Sequence, residues 1–289
     1  MSSYRLPPVA LCALFASQVA IAACLSDAQV SEMAQRMADA KPAANIEGLT
    51  DDEGACTRNK LTKILATRQG KLVGYKAGLT HAATQKRFDT DRPVWGKLYE
   101  NMMLANGATV PAQFAARPVF ESDLLVRVSN ERINQARTPE DVLAAIDQVL
   151  PFIELPDGVV QDPLTLNGAG VSAINVGARL GVVGEPIATP AGATERRALL
   201  VALRDMSVMV SDGSGAALNV AQGRAILGHP LNAVVWLAQA LAEEGLAMKP
   251  GDLISLGAFS PQMPPQSGQQ IRVTYIGLPG AMPVQVNFN

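Results

Sequence analysis

From Lys71 onward the chain turns to short segments, several of them punctuated by glycine, a texture that suits strands and tight turns better than helices. Segments such as LVGYKAG, VWGKLY and PFIEL are too short for stable helices and suit buried strands and tight turns. Near the C-terminus IRVTYIG and PVQVNF alternate apolar and other residues at period two, as antiparallel strands do. Helical spacing appears in only a few places. Ser26 and Gln29 form a capping-box pattern ahead of Val30, Met33, Ala34 and Met37. A second helix carries Leu61, Ile64 and Leu65 and stops at Gly70. A third starts at Thr138-Pro139-Glu140-Asp141 and runs through Val142, Ile146 and Val149 to Pro151. A fourth spans about 230–244, ended by Gly245. HAATQKRFDTDRP reads as a loop. Strands that outnumber helices without alternating with them predict an α+β fold with mixed sheets. No repeat or internal linker interrupts it.

With 48% hydrophobic and 17% charged residues, the 289-residue chain has enough apolar mass for a full core. Its 24 basic and 26 acidic residues form no basic run, which sets nucleic acid aside as a partner. Two histidines and three cysteines are too few for a conventional structural zinc site or an iron–sulfur cluster, so any metal must lean on oxygen ligands.

The first 23 residues read as a secretory signal: Arg5, an apolar run too short to span a bilayer, then small residues up to Ala23. Periplasmic or secreted localisation follows. Cleavage near Ala23 removes Cys12 and leaves Cys24 and Cys56, a pair expected to form a disulfide in an oxidising compartment. The alternative is a lipoprotein, since Ile21-Ala22-Ala23-Cys24 also resembles a lipobox. The expected organisation is a signal over 1–23, a helical cap over 24–70 and a catalytic domain over 71–289.

In FESDLLVRV, Glu121 and Asp123 stand two apart in a strand, so both carboxylates leave the same face. Glu154 lies in the apolar run Pro151–Leu155, where an unpaired carboxylate is expensive to bury. Three converging carboxylates suit a hard ion, Mg²⁺ or Mn²⁺. The competing reading makes Glu121 and Asp123 the solvated face of an edge strand, with Glu154 in a local salt bridge. Gly168–Ala173 matches GxGxxA but follows no strand and opens no convincing helix, so its glycines read as turn residues. His229 reads as structural; His81, near Lys76, is the better site candidate.

The run Gly74-Tyr75-Lys76-Ala77-Gly78-Leu79-Thr80 with Gln85 resembles the GxKxGLT…Q segment of the 2-keto-4-pentenoate hydratase and 2-oxo-3-hexenedioate decarboxylase family, within the fumarylacetoacetate hydrolase superfamily. Val94–Leu98 resembles that family's aromatic-Gly-x-Leu stretch, Glu121-Ser122-Asp123 its ExE motif with Asp for the second Glu, and Pro151–Glu154 its PxxE segment. Leu227–Leu231, Trp236-Leu237 and Pro250-Gly251-Asp252 continue the match in order, so it covers roughly residues 27–288. The resemblance implies a mixed β-sheet roll and a metal-dependent lyase that hydrates a 2-hydroxy-2,4-dienoate or decarboxylates a related 2-oxo acid. It implies Glu121, Asp123 and Glu154 as ligands of a divalent cation, Lys76 and Glu154 as catalytic groups, and Lys76, Leu79, Asn175 and Ser260 as substrate contacts. Assembly into a homo-oligomer is implied in the same way. Where the family often shows ADNAS, this chain has Ala173-Ile174-Asn175-Val176-Gly177, so a carboxylate and a hydroxyl are replaced by Ile174 and Gly177. That departure keeps open a binding protein with weakened turnover, beside the superfamily's C–C hydrolase chemistry.

Overall fold

The computed structural model describes Met1 and residues 24–289. The expected signal segment, with Cys12, otherwise lies outside the described residues. The helices are α1 (Asp27–Ala38), α2 (Asp51–Arg68), α3 (Ala82–Arg87), α4 (Pro139–Ala144), α5 (Gly168–Ala173), α6 (Ala193–Asp205) and α7 (Asn232–Glu243). The strands are β1 (Leu72–Gly78), β2 (Val94–Tyr99), β3 (Met103–Ala105), β4 (Thr109–Val110), β5 (Glu121–Val128), β6 (Ile146–Leu155) and β7 (Leu180–Val183), then β8 (Ile187–Ala188), β9 (Ser207–Asp212), β10 (Ala217–Gln222), β11 (Leu253–Ser255), β12 (Gln270–Ile276) and β13 (Val284–Phe288).

Two mixed sheets result. The larger runs β2-β1-β11-β5-β6-β7-β3, with β8 beside β6; the smaller runs β10-β9-β12-β13-β4. In the first, β1 is parallel to β11 and β3 to β7, while β5 and β6 form a long antiparallel pair. Leu124, Val126 and Ile153 pack with Val208, Val210, Ile271 and Val286 in the core shared with the smaller sheet. The other faces of β5 and β6 carry Leu125 and Phe152 into a second core with Val30, Met33, Met37, Leu61 and Leu65 of α1 and α2. Strands covered on both sides leave no solvated face, so Glu121 and Asp123 do not stand on an open edge.

Capping boxes start α1 at Ser26 and α4 at Thr138, as the sequence patterns indicate. The helix expected to continue from Thr138 to Pro151 ends at Ala144. Ile146 and Val149 belong to β6, opposite Val128 and Val126, because sheet pairing offers these β-branched side chains a better-packed surface than one helical face does. HAATQKRFDTDRP is not wholly loop, since Ala82–Arg87 makes a short helix. GxGxxA does open a helix, α5, whose N-cap Asn167 accepts from Gly170 N at 2.8 Å. The sequence patterns did not indicate α6: Gly192 supplies no side-chain cap, and only Leu199 and Leu203 of the helix are buried.

Cys24 and Cys56 are joined, their Cα atoms 5.7 Å apart, tying the start of the described chain to α2. No helix among the described residues is long and apolar enough to cross a membrane.

Candidate active site

Strand register assembles the site. Glu121 of β5 faces Glu154 of β6 across the antiparallel pair, and Asp123 follows two residues on, on the same side. Lys76 enters from β1, which β11 separates from β5. All four are buried: 2% of Lys76, 7% of Glu121, none of Asp123 and 2% of Glu154 is exposed. Lys76 Nζ donates to Glu154 Oε1 and, at 3.0 Å, to the carbonyl of Val176. Asp123 is held from three directions. Ser255 Oγ donates to it at 2.5 Å, Leu124 N at 2.6 Å and Gly257 N at 3.0 Å.

Three buried carboxylates thus face one ammonium. Burial, followed by the charge of Glu154, pushes the Glu121 carboxyl well above the usual range. The same two causes push Asp123 up to about 7, against the stabilising hydrogen bonds of Ser255 and Leu124. Glu154 Oε2 is buried with no hydrogen-bond partner. An orphaned carboxylate oxygen, surplus negative charge and an all-oxygen donor set fit a hard divalent cation. Among the described residues no three acidic, His or Cys side chains stand ready to enclose an ion: Lys76 takes one oxygen of Glu154, and Asp123 is engaged by Ser255 and Gly257.

Above this cluster lies a cavity of about 280 Å³. Lys76 and Glu121 form part of its lining, with Leu79, His81 and Ser260 around it and an apolar wall that includes Val171, Ile174 and Val176. Ser260 Oγ accepts from Ser122 N at 3.0 Å, which leaves its own hydroxyl proton for another acceptor. His81 Nε2 lies 2.7 Å from the carbonyl of Ala258. Ile174 and Gly177, the two departures from the family pattern, both line the cavity.

Asn175 does not. It is fully buried, its Oδ1 accepts from Lys97 N at 2.7 Å and its Nδ2 donates to Lys97 O at 2.9 Å, so the expected substrate contact is corrected to an internal one. His229 stays structural: Leu231 N donates to its Nδ1 at 3.1 Å. Asp157, which the sequence reading passed over, lines the cavity and accepts from Arg117 N at 2.9 Å; burial pushes its carboxyl up. Its only sequence signal is a carboxylate three residues beyond Glu154 in a run of apolar neighbours.

No family model matches the chain. Among curated proteins it is 29% identical over 238 residues to the TodF product hydratase of Pseudomonas putida strain F1, covering 82% of this chain and 85% of that one. It is 27% identical over 240 residues to the 2-keto-4-pentenoate hydratase of Paraburkholderia xenovorans, covering 81% and 85%. Among solved structures, the 4-oxalocrotonate decarboxylase of Pseudomonas putida G7, complexed with magnesium and adipate, superposes with a TM-score of 0.78 at 25% identity, over 92% of this chain and all of that one. The fumarylpyruvate hydrolase of Pseudomonas aeruginosa, in complex with Mn²⁺ and pyruvate, shares the fold at 13% identity and a TM-score of 0.54, over 74% and 88%. Around strands that bring Lys76 to three buried carboxylates, the chain is thus similar along most of its length to 2-keto-4-pentenoate hydratases in sequence and to a 4-oxalocrotonate decarboxylase in structure.

Proposed function

We propose that this protein is a divalent-cation-dependent lyase acting on small 2-oxo or 2-hydroxy-dienoic acids, adding water to a 2-hydroxy-2,4-dienoate or decarboxylating a related 2-oxo acid. The observation that carries the reading is the buried Lys76 ammonium, set between Glu154 and the Val176 carbonyl in the lining of the cavity. Glu121 and Glu154, with Asp123 beside them, would hold the ion, Mg²⁺ or Mn²⁺. When bound, it supplies positive charge against the acid's carboxylate and 2-oxo oxygens, where negative charge develops.

The chain's own groups do the rest. Lys76 Nζ holds a proton next to the reacting carbons and gives or takes it as the electrons move. Ser260 has a hydroxyl proton free for the acid's carboxylate. Leu166, Val171, Ile174 and Val176 form an apolar stretch of the cavity lining, a low-dielectric flank for a bound acid. Ile174 and Gly177 favour a second reading, a keto-acid-binding relative with weakened turnover, because they remove two polar groups from the cavity wall.

An ultraviolet assay with freshly generated 2-hydroxypenta-2,4-dienoate tests both, run with Mg²⁺, Mn²⁺ or chelator beside Glu154→Ala and Lys76→Ala. Metal-dependent loss of the dienol absorbance, abolished by both substitutions, is the expected result. No turnover, together with metal-dependent thermal stabilisation by pyruvate that Glu154→Ala removes, would favour the binding protein.

A further inference from the structure

Asn175, Val176 and Gly177 have φ of +56°, +54° and +65°, three left-handed residues in succession. For a β-branched valine this backbone is a genuine outlier that must be held by its surroundings. Two motif glycines do part of the holding. A Cβ on Gly78 would sit 2.3 Å from Val176 Cγ1, and a Cβ on Gly96 would sit 2.5 Å from the Asn175 carbonyl oxygen, so both strands must be bare there for the turn to dock. The Asn175 side chain completes the clamp by exchanging two hydrogen bonds, 2.7 and 2.9 Å, with the backbone of Lys97 on β2. The neighbouring residue, Gly96, lies directly opposite Lys76 in the β1–β2 register. The product of all this is one carbonyl, that of Val176, placed 3.0 Å from Lys76 Nζ.

We infer that Asn175 is a positioning residue, clamping the Asn175–Gly177 turn so that the Val176 carbonyl aims the Lys76 ammonium into the cavity. The inference rests on the proposed role of Lys76. Of that lysine's two partners, Glu154 is an expected ion ligand, and Val176 is the one with no other duty. Nothing in the arrangement asks Asn175 to touch the acid, which explains why its side chain is turned away from the cavity.

The test compares Asn175→Ala and Asn175→Asp, whose carboxyl, kept protonated by full burial, still offers an acceptor to Lys97 N–H and a donor to its carbonyl, with the unaltered full chain under Mg²⁺ saturation. In Asn175→Ala kcat should fall roughly 10- to 100-fold, the scale for a misplaced catalytic group. KM for the dienoate and the Mg²⁺ dissociation constant should stay within about threefold, as expected when a transition-state contact alone is lost. Asn175→Asp should recover part of kcat. Crystal structures of both variants should show Lys76 drawn off the Val176 carbonyl to a degree that follows kcat. A loss carried by KM or by Mg²⁺ affinity overturns the inference, as does a fall in kcat with the Lys76–Val176 contact intact. Should Asn175→Ala fail to fold, Asn175→Asp alone decides by the same readouts. If Lys76→Ala turned over normally, the reading of Lys76 would fail by itself, and the crystal structures would still show whether Asn175 holds the contact.

Discussion

Lys76 and Glu154 form a buried ion pair. Removing one partner leaves the other uncompensated, at a cost of about 3–5 kcal/mol. Lys76→Ala should therefore lower Tm markedly in chelator, and Mg²⁺ should restore more of the loss than it adds to the unaltered protein; thermal unfolding with and without the ion checks this. Asp123 supplies a pH dependence. Its carboxyl is pushed from an ordinary value of 3.8 up to about 7, so the folded state keeps a proton that the unfolded chain has released. That contribution to stability is fully present below about 3.8 and disappears as pH rises through about 7. Ion binding must displace the same proton, so Mg²⁺ affinity should weaken as pH falls through about 7, which calorimetric titration across that range would measure. An Mg²⁺ affinity flat with pH would mean that neither Asp123 nor Glu121 gives up a proton when the ion binds.

At the scale of elements, the two sheets that share a core are also tied by a tyrosine hydroxyl. Tyr275 of β12 donates to the Asp123 carbonyl, and its oxygen accepts from Phe152 N at 3.1 Å, bridging the two strands that carry the acidic cluster. Tyr275→Phe removes the hydroxyl that these buried backbone groups share and should cost about 1–3 kcal/mol in urea unfolding, with activity largely kept. A second bridge lies under the cap. Arg58 of α2 is 2% exposed, stacks 3.5 Å above the Trp95 ring and pairs with Glu244, just past α7. Arg58→Ala should uncouple α2 from α7 and destabilise by about 3 kcal/mol or more. Trp95 fluorescence should report the change, since the guanidinium that covers the ring is gone.

For the whole molecule, the cap and the sheet roll share a core, so the start of the described chain bears on the strands that bear the site. The bridge between Cys24 and Cys56, 32 residues apart, closes a loop large enough to stabilise the fold by about 3 to 4 kcal/mol through restriction of the unfolded chain. If the protein is exported as its first 23 residues suggest, intact mass of the mature chain should show a start near Cys24 and two hydrogens fewer than the reduced form. A lipid-sized mass increment on Cys24 would replace that reading with the lipoprotein.

The sequence by itself determined the α+β class, the capped starts of α1 and α4, the C-terminal strands and the identity of the acidic residues, because these depend on local spacing and alternation over a few residues. Only the tertiary structure decided that Ile146 and Val149 leave the helix for β6, since local periodicity cannot see the β5 strand that pairs with them. Only it showed that Glu121 and Asp123 are buried, because burial is set by what covers the other face of the sheet. Asn175 marks the boundary most sharply. Its place in a family-like segment was legible, but its direction was set by a left-handed turn, two glycines and a backbone partner 78 residues away, contacts that exist only once the strands are assembled.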